Sequence, residues 1–226
     1  MSKLYIVATP IGNLEDITLR ALRILKEVDL ILCEDTRKTR ILTDKYGISR
    51  PLLSYHQHSK LQRIEQIIKF LKSGKNLALV SDAGTPGISD PGGKLVEEVL
   101  RAMADEAEII PIPGPSALTA AASISGLPTD KFLFLGFPPH KKGRNKFFQR
   151  IAGADETVIF YESTYRIIKT LNELAETRNL TERKIAVCRE LTKMFETIYR
   201  GTASEVLEKL KADTTKGEFV VVVGHK

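Results

Sequence analysis

The sequence predicts an α/β protein built as two α/β domains, and three observations carry that expectation. Short apolar runs of strand-forming residues alternate with segments whose apolar residues recur at helical spacing. Glycine- and proline-rich stretches stand at the ends of several of these runs, where strand-to-helix turns belong. The alternation pauses at Gly126-Leu127-Pro128-Thr129-Asp130 and then resumes, which divides the chain into residues 1–125 and 126–226.

Taken in order, Leu4 to Ala8 reads as a strand. After a Pro/Gly turn, Leu19, Leu22, Ile24 and Leu25 share a helical face, with Asp16 or Thr18 as the cap. Val28 to Cys33 reads as a buried strand, and a short strand precedes Ser54-Tyr55-His56-Gln57-His58-Ser59. Ile64, Ile67, Ile68 and Leu71 mark an amphipathic helix that stops at Ser73-Gly74. Leu77 to Val80 and Ile109 to Ile112 are strands, with a helix beginning near Leu95 between them. Beyond the break, Phe132 to Phe137 and Thr157 to Tyr161 are strand-like, and Ile167, Ile168, Leu171 and Leu174 are helical. Ile185 to Cys188 is a strand, Val206, Leu207 and Leu210 belong to a helix, and Phe219 to Val223 is a terminal strand. Strands that alternate with helices in this way form a mainly parallel sheet.

Of the 226 residues, 42% are hydrophobic and 27% charged, the balance of a soluble globular protein. The formal net charge of +6 suits a polyanionic partner such as nucleic acid. The two cysteines, Cys33 and Cys188, lie far apart in apolar strand runs and read as buried, reduced thiols. No Cys-x-x-Cys spacing suggests a metal. The start of the chain lacks the apolar core of a signal peptide, and no apolar run approaches the roughly 20 residues that span a membrane. A cytoplasmic protein is expected.

The richest segment is Ser81-Asp82-Ala83-Gly84-Thr85-Pro86-Gly87-Ile88-Ser89-Asp90-Pro91-Gly92-Gly93, between a strand and a helix. Glycine lets the backbone approach a ligand and proline fixes its shape in advance. In open α/β sheets, ligands bind beyond the carboxyl ends of the strands. The segment is not a phosphate loop, because Leu95 follows Lys94 where a Ser or Thr is needed for magnesium. No Gly-x-Gly-x-x-Gly supports a nicotinamide site. Thr9-Pro10-Ile11-Gly12-Asn13-Leu14 and Pro111-Ile112-Pro113-Gly114-Pro115-Ser116-Ala117 are two further stiff loops after strands. Three such loops at one sheet edge would recognise a ligand largely with backbone groups, which suits a nucleoside cofactor.

Side chains near that edge suggest chemistry. Glu34 and Asp35 follow a strand, and either can orient a hydroxyl acceptor, while Arg37, Lys38 and Arg40 can hold phosphate. The same segment reads equally as a helix-capping acid pair on a solvated basic face. His56 and His58 would share a strand face, and Tyr55 and His56 can serve as base or stacking groups toward RNA. Asp82 and Asp90 either serve the site or brace turns. The acid-free run from His140 to Arg150 offers Lys141, Lys142, Arg144 and Lys146 to an RNA backbone, or forms a solvated helix with Phe147 and Phe148 in the core. Arg189 and Glu190, at a strand end, line a cleft or pair structurally. No metal site is expected.

Six segments stand in order: Ala8 to Leu14, Glu34-Asp35-Thr36-Arg37, Ser81 to Gly92, Pro113 to Ala117, Phe160-Tyr161-Glu162-Ser163 and Arg189-Glu190-Leu191-Thr192-Lys193. Together they resemble the ribosomal small subunit methyltransferase I family, the 16S ribosomal RNA cytidine 2′-O-methyltransferases of the tetrapyrrole-methylase superfamily. The resemblance covers nearly the whole chain. It implies two α/β domains of the tetrapyrrole-methylase type, S-adenosyl-L-methionine in a cleft between them, a homodimer, and 16S rRNA in the small ribosomal subunit as substrate. Carried over by position, the cofactor residues are Pro10, Ile11 and Gly12, then Gly84, Thr85 and Ile88, then Ser116, Ala117, Tyr161 and Glu190. The family commonly has Pro-His-Arg where Thr164-Tyr165-Arg166 stands, so no imidazole is expected there. A further C-terminal helical segment, frequent in the family, is not expected after Gly224-His225-Lys226. A methylase of a tetrapyrrole or of a translation-factor residue would use the same scaffold. A non-catalytic RNA-binding assembly factor would need the basic surface but not the three loops.

Overall fold

The computed structural model describes residues 1–56 and 61–226, apart from the side chain of Asp105. The chain divides into two units, Met1–Ser116 and Ala117–Lys226. That division precedes the sequence break at Gly126, because helix α5 (Ala117–Ile124) packs against strands β7 (Thr157–Ser163) and β10 (Glu218–Val223) of the second unit.

The first unit is a five-stranded sheet of β1 (Ser2–Val7), β2 (Leu30–Cys33), β3 (Leu52–Ser54), β4 (Leu77–Val80) and β5 (Ala107–Ile112). Its order is β3-β2-β4-β1-β5, and every pairing is parallel. Helices α1 (Leu19–Glu27), α2 (Thr36–Lys45), α3 (Leu61–Lys72) and α4 (Gly92–Met103) cover it on both faces. Alternate strand residues point to opposite faces. Ile31, Ala78 and Val80 therefore pack with Ala21, Ile24, Leu25 and Leu42, while Leu32, Leu77 and Leu79 pack with Ile67, Leu71, Leu95 and Val99. A strand covered on both sides needs no polar alternation, which is why all four residues of β4 are buried and apolar. Thr18 is the cap of α1, accepting the Ala21 N–H at 3.1 Å.

The second unit is a mixed sheet of β6 (Phe132–Phe134), β7, β8 (Ile185–Arg189), β9 (Thr197–Gly201) and β10. The order is β6-β7-β10-β8-β9, with only β6 and β7 parallel. Helices α6 (Arg144–Gly153), α7 (Ile167–Glu176) and α8 (Ala203–Ala212) pack with this sheet around Phe148, Ile151, Phe160, Leu171, Val187, Val206 and Val221. Thr202 and Glu205 form a reciprocal capping box at the start of α8. Cys33 and Cys188 are free and buried within β2 and β8. Among the described residues, no helix is long and apolar enough to cross a membrane.

One buried cation ties the second unit together. Arg183 donates to the carbonyls of Ile151 at 3.2 Å, Ala152 at 3.0 Å and Ala154 at 3.1 Å, closing the carboxyl end of α6. Carbonyls at the end of a helix lack the full set of helical partners, and of these Ile151 also accepts the Ala154 N–H at 3.2 Å. Arg183→Met is expected to lower the unfolding free energy by about 3 kcal/mol, since it leaves several buried carbonyls without a charged donor. Urea denaturation reports the loss, and hydrogen exchange locates it at the end of α6.

Candidate functional site

Because the first sheet is entirely parallel, the carboxyl ends of all five strands lie at one edge. The loops after β1, β4 and β5 meet there and are fastened to one another. Thr9 and Gly84 exchange two backbone hydrogen bonds of 2.9 Å each, an isolated antiparallel bridge beyond the parallel strands. The Thr9 hydroxyl donates to the Ser81 carbonyl at 3.1 Å, and that of Thr85 donates to the Pro115 carbonyl at 3.2 Å. The Ser81 hydroxyl donates to the Gly84 carbonyl at 3.1 Å. Asp90 Oδ1 accepts the N–H groups of Gly87 and Gly92, each at 2.7 Å, and so braces the turn into α4.

The glycines have separate tasks. Gly84 holds φ +80°, a region L-residues rarely adopt, and a Cβ there would lie 3.4 Å from Ile11. Gly92 is not in that region. A Cβ on it would come within 2.9 Å of both Asp90 Oδ1 and the Gly87 nitrogen. Ser89 sits at φ +61° in the same loop, local strain of the kind that collects at functional sites. Pro10 is buried, Ile11 half-buried, and Gly12 and Ile88 exposed. Ser116 ends the first unit, and Ala117 opens α5 in the second.

Beside these loops lies an acidic edge. Asp35 caps α2, accepting the Arg37 N–H at 2.9 Å and the Arg37 guanidinium at 2.7 Å. That guanidinium holds the Asp35 carboxyl well below the usual carboxylate range. Asp82 accepts the Asp35 N–H at 3.1 Å with one oxygen and Lys38 Nζ at 2.7 Å with the other. Cations in the first turn of a helix oppose its dipole, and these two acids compensate them. Glu34 is different. It is half-buried, and burial, reinforced by the negative charges of Asp82 and Asp90, pushes its pKa up, against the hydrogen bond it takes from the Asp82 backbone. The Ser54 hydroxyl fixes the Glu34 carbonyl at 3.2 Å.

Several sequence expectations look different in three dimensions. The helix-capping reading of Asp35 is the one its contacts match. Arg37 to Arg40 lie in the first turns of α2, with Arg37 and Lys38 ion-paired and Arg40 exposed. β3 stops at Ser54, so the exposed His56 lies on no strand face, and His58 falls outside the described residues. Arg144 is not available to RNA. It is 4% exposed and bonds the Glu173 carboxylate at 2.8 Å and the Thr170 hydroxyl at 2.7 Å, because α6 turns it inward. Lys141 and Lys142 are exposed. Tyr161 is half-buried on β7, its phenol oxygen accepting the Leu118 N–H in the first turn of α5. Glu190 has φ +52°, and its side chain bonds Lys193 Nζ at 2.9 Å and the Glu218 N–H at 2.8 Å. Burial opposes its ionisation, but those two donors outweigh it and lower the pKa. The Glu190 carboxylate is thus turned into its own loop. Thr9, which fastens the first two loops, lies within the Ala8 to Leu14 segment, but a Thr-Pro at a strand end is the only sequence signal of that role. Among the described residues, no group of three or more His, Cys, Asp and Glu is placed to hold a metal ion.

The profile of the tetrapyrrole (corrin/porphyrin) methylases matches residues 3–207. The chain belongs to that family. A ribosomal RNA small subunit methyltransferase I from Thermotoga maritima is 46% identical over 226 residues, covering 100% of both chains. The enzyme of the same name from Bacillus subtilis is 47% identical over 99% of this chain and 75% of its own. Within the family, the chain therefore stands with ribosomal RNA small subunit methyltransferase I. The solved uroporphyrin-III C-methyltransferase of Thermus thermophilus, complexed with S-adenosylhomocysteine, superposes with a TM-score of 0.65 at 18% identity, over 98% of this chain and 97% of that one. That likeness shows the shared fold of two α/β domains.

The fastened loops make a sharp expectation. Gly84→Val forces a β-branched residue to φ +80° and should cost about 1–3 kcal/mol of stability. Gly92→Ala should loosen the Asp90 turn without any strain in φ. Thermal denaturation of the two variants separates these causes, since Gly84→Val alone should also disturb the Thr9 bridge, visible as faster hydrogen exchange at both amides.

Proposed function

We propose that this protein transfers a methyl group from S-adenosylmethionine to the 2′-hydroxyl of a cytidine ribose in the decoding region of 16S ribosomal RNA. It acts as a cytoplasmic homodimer on RNA of the small ribosomal subunit. The names of its relatives support ribosomal RNA as the acceptor. The position and the homodimer rest on the family resemblance, and buried free thiols accord with a reducing compartment. The observation that carries the chemistry is Glu34, a carboxylate of raised proton affinity at the edge where three Gly/Pro loops are tied together.

The residues present fit the cofactor. The side chains of Thr9, Ser81, Thr85 and Asp90 bond within the loops, which leaves main-chain groups and the apolar Ile11 and Ile88 for a nucleoside. Glu34, Asp82 and Asp90 give the edge a negative charge that suits a sulfonium cation. When bound, the cofactor supplies an electrophilic methyl group. Pro10, Gly12, Gly84 and Ser116 belong to the same proposed contacts. Ala117 and Tyr161 join them on the family motif alone, and Glu190 can contribute only main chain.

A ribose hydroxyl is a weak nucleophile and gains from a hydrogen-bond acceptor placed at its proton. Glu34 takes that place. Its raised pKa makes it a stronger base than an ordinary carboxylate. Asp35 is engaged by Arg37 and is a poorer base, and Asp82 positions Glu34 through its own N–H. Arg37, Lys38 and Arg40 face the phosphates of the acceptor strand, and Lys141 and Lys142 extend the basic surface. His56 stands as the reserve base. The cationic turns of α2 favour RNA over a tetrapyrrole or a protein side chain as acceptor.

Glu34→Gln should lower turnover by about 10²–10⁴-fold with cofactor and RNA affinity retained. In the parent enzyme, activity should fall on acidification as Glu34 takes up a proton. Because its pKa is raised, that limb lies above the range of an ordinary carboxyl group, and it should vanish in the residual activity of the Gln variant. Normal turnover by Glu34→Gln would move the role to His56 or Asp82. Mass spectrometry of digested nucleosides should find the methyl on ribose; a base-methylated cytidine refutes the ribose assignment. Replacing Arg37, Lys38 and Arg40 together by Ala should weaken RNA binding and flatten its salt dependence, because fewer counterions are released.

A further inference from the structure

The segment joining β6 to α6, residues 135–143, has no regular structure and yet is held at almost every step. Gly136 and Gly143 bound it, at φ +64° and +88°. The Gly136 carbonyl accepts the Tyr161 N–H at 2.9 Å. Two arginines then take successive carbonyls: Arg166 donates to Pro138 O at 2.7 Å, and Arg144 to Pro139 O at 3.1 Å. Both converge on Glu162, whose side chain is wholly buried in β7. Arg166 Nε lies 2.9 Å from one oxygen, the Thr170 hydroxyl donates to the other at 2.6 Å, and Arg144 stands 4.0 Å away. Charges this deep contribute little net stability, because desolvation offsets their attraction. Their evident effect is to fix the shape of a surface loop.

The outer side of that loop bears Phe137, His140, Lys141 and Lys142, all exposed. The Phe137 ring is 50% exposed and rests against Tyr161, with centroids 5.5 Å apart. Tyr161 is backed in turn by Phe134 at 4.9 Å. Between Pro138 and Ile151 there is no acidic residue. Among the described residues, Lys141, Lys142, Lys146 and Arg150 have no ion-pair partner. Within the loop, Phe137 presents an open aromatic face among uncompensated cations. It matches an unpaired nucleotide, whose base stacks on the ring while its phosphates meet the lysines.

We propose that Phe137 stacks on an unpaired base of the ribosomal RNA, that Lys141 and Lys142 hold the adjoining phosphates, and that Glu162, through Arg144 and Arg166, positions the loop that presents them. This rests on the reading of the protein as an rRNA methyltransferase and adds a second RNA contact, carried by the second unit.

The test uses the full chain, small ribosomal subunits from cells lacking the enzyme, and a labelled single-stranded oligoribonucleotide. Phe137→Ala removes an exposed ring and should leave the fold intact. It should raise the oligonucleotide Kd and the KM for subunits by about 5- to 150-fold, the span of one base–aromatic stack. The affinity for S-adenosylmethionine should not change, and Phe137→Tyr should restore RNA binding. Glu162→Gln should weaken RNA binding in the parent but add little to Phe137→Ala, because the two act through one contact; full additivity would make Glu162 merely structural. If Phe137→Ala binds RNA normally while the parent enzyme methylates subunits, the inference fails and the functional reading stands. Loss of cofactor affinity instead would place the ring in the cofactor site, and a changed mass in light scattering would place it in a subunit contact; either overturns the proposal. A parent protein that neither binds RNA nor methylates subunits overturns the functional reading as well.

Discussion

Two hydrogen bonds, each 2.9 Å long and exchanged between Thr9 and Gly84, govern the geometry of the candidate site. β1 and β4 are parallel neighbours, so their loops leave the sheet side by side and would otherwise diverge into solvent. The bridge turns the two loops toward each other. It requires φ +80° at Gly84, and the Ser81 hydroxyl secures the same residue through its carbonyl. Thr85 then reaches Pro115 and adds the third loop. Asp82, lying between Ser81 and Gly84, is thereby held where it can accept the Asp35 N–H and pair with Lys38. Burial raises the Glu34 pKa first, and the negative charge of Asp82, held in that placement, adds to it, so the backbone bridge contributes to the acid–base chemistry.

The second unit uses charge in the opposite way. In the first, acids gather at an open edge and remain partly solvated. In the second, Glu162 is enclosed by Thr170, Arg166 and Arg144, with Glu173 balancing the extra cation. The carboxylate of Glu190 is likewise turned inward, bonding Lys193 and the Glu218 N–H to hold the loop after β8. One unit displays its carboxylates, whereas the other uses them to stiffen irregular backbone.

Much of the fold was legible from hydrophobic period alone, because the buried strands are continuous apolar runs and α1, α3, α7 and α8 carry clear stripes. The exceptions have physical reasons. α2 buries only Thr39, Leu42 and Thr43, too thin a stripe to register beside its cations. β9 is an edge strand with Tyr199 as its one buried residue. The strand expected to run to Phe137 ends at Phe134, since Gly136 turns the chain at φ +64°. The Ala-rich α5 offers little periodicity, which hid its attachment to the second unit. At the site, the loops announced themselves through glycine and proline. The partners of charged residues did not: Arg144 looks like its basic neighbours until β7 and α7 bring Glu162 and Glu173 beside it. Nothing local separates Glu34 from Asp35; only burial and the approach of β4 do.

The strand order of the first unit also bears on how the chain is made. β1 is the first strand to be synthesised, yet it lies between β4 and β5, pairing with residues 77–80 on one side and 107–112 on the other. Its edges therefore stay unmatched until the polypeptide through Ile112 has emerged, which takes on the order of ten seconds at about 5–20 residues per second. Such long-range parallel pairing makes folding slow and leaves an exposed, apolar strand in the nascent chain. The second unit closes in a similar manner, since β10, the last strand, inserts between β7 and β8. The first sheet is completed by β5 at its edge and the second by β10 at an interior position, so a chain truncated before either arrival would expose a ready template for aggregation.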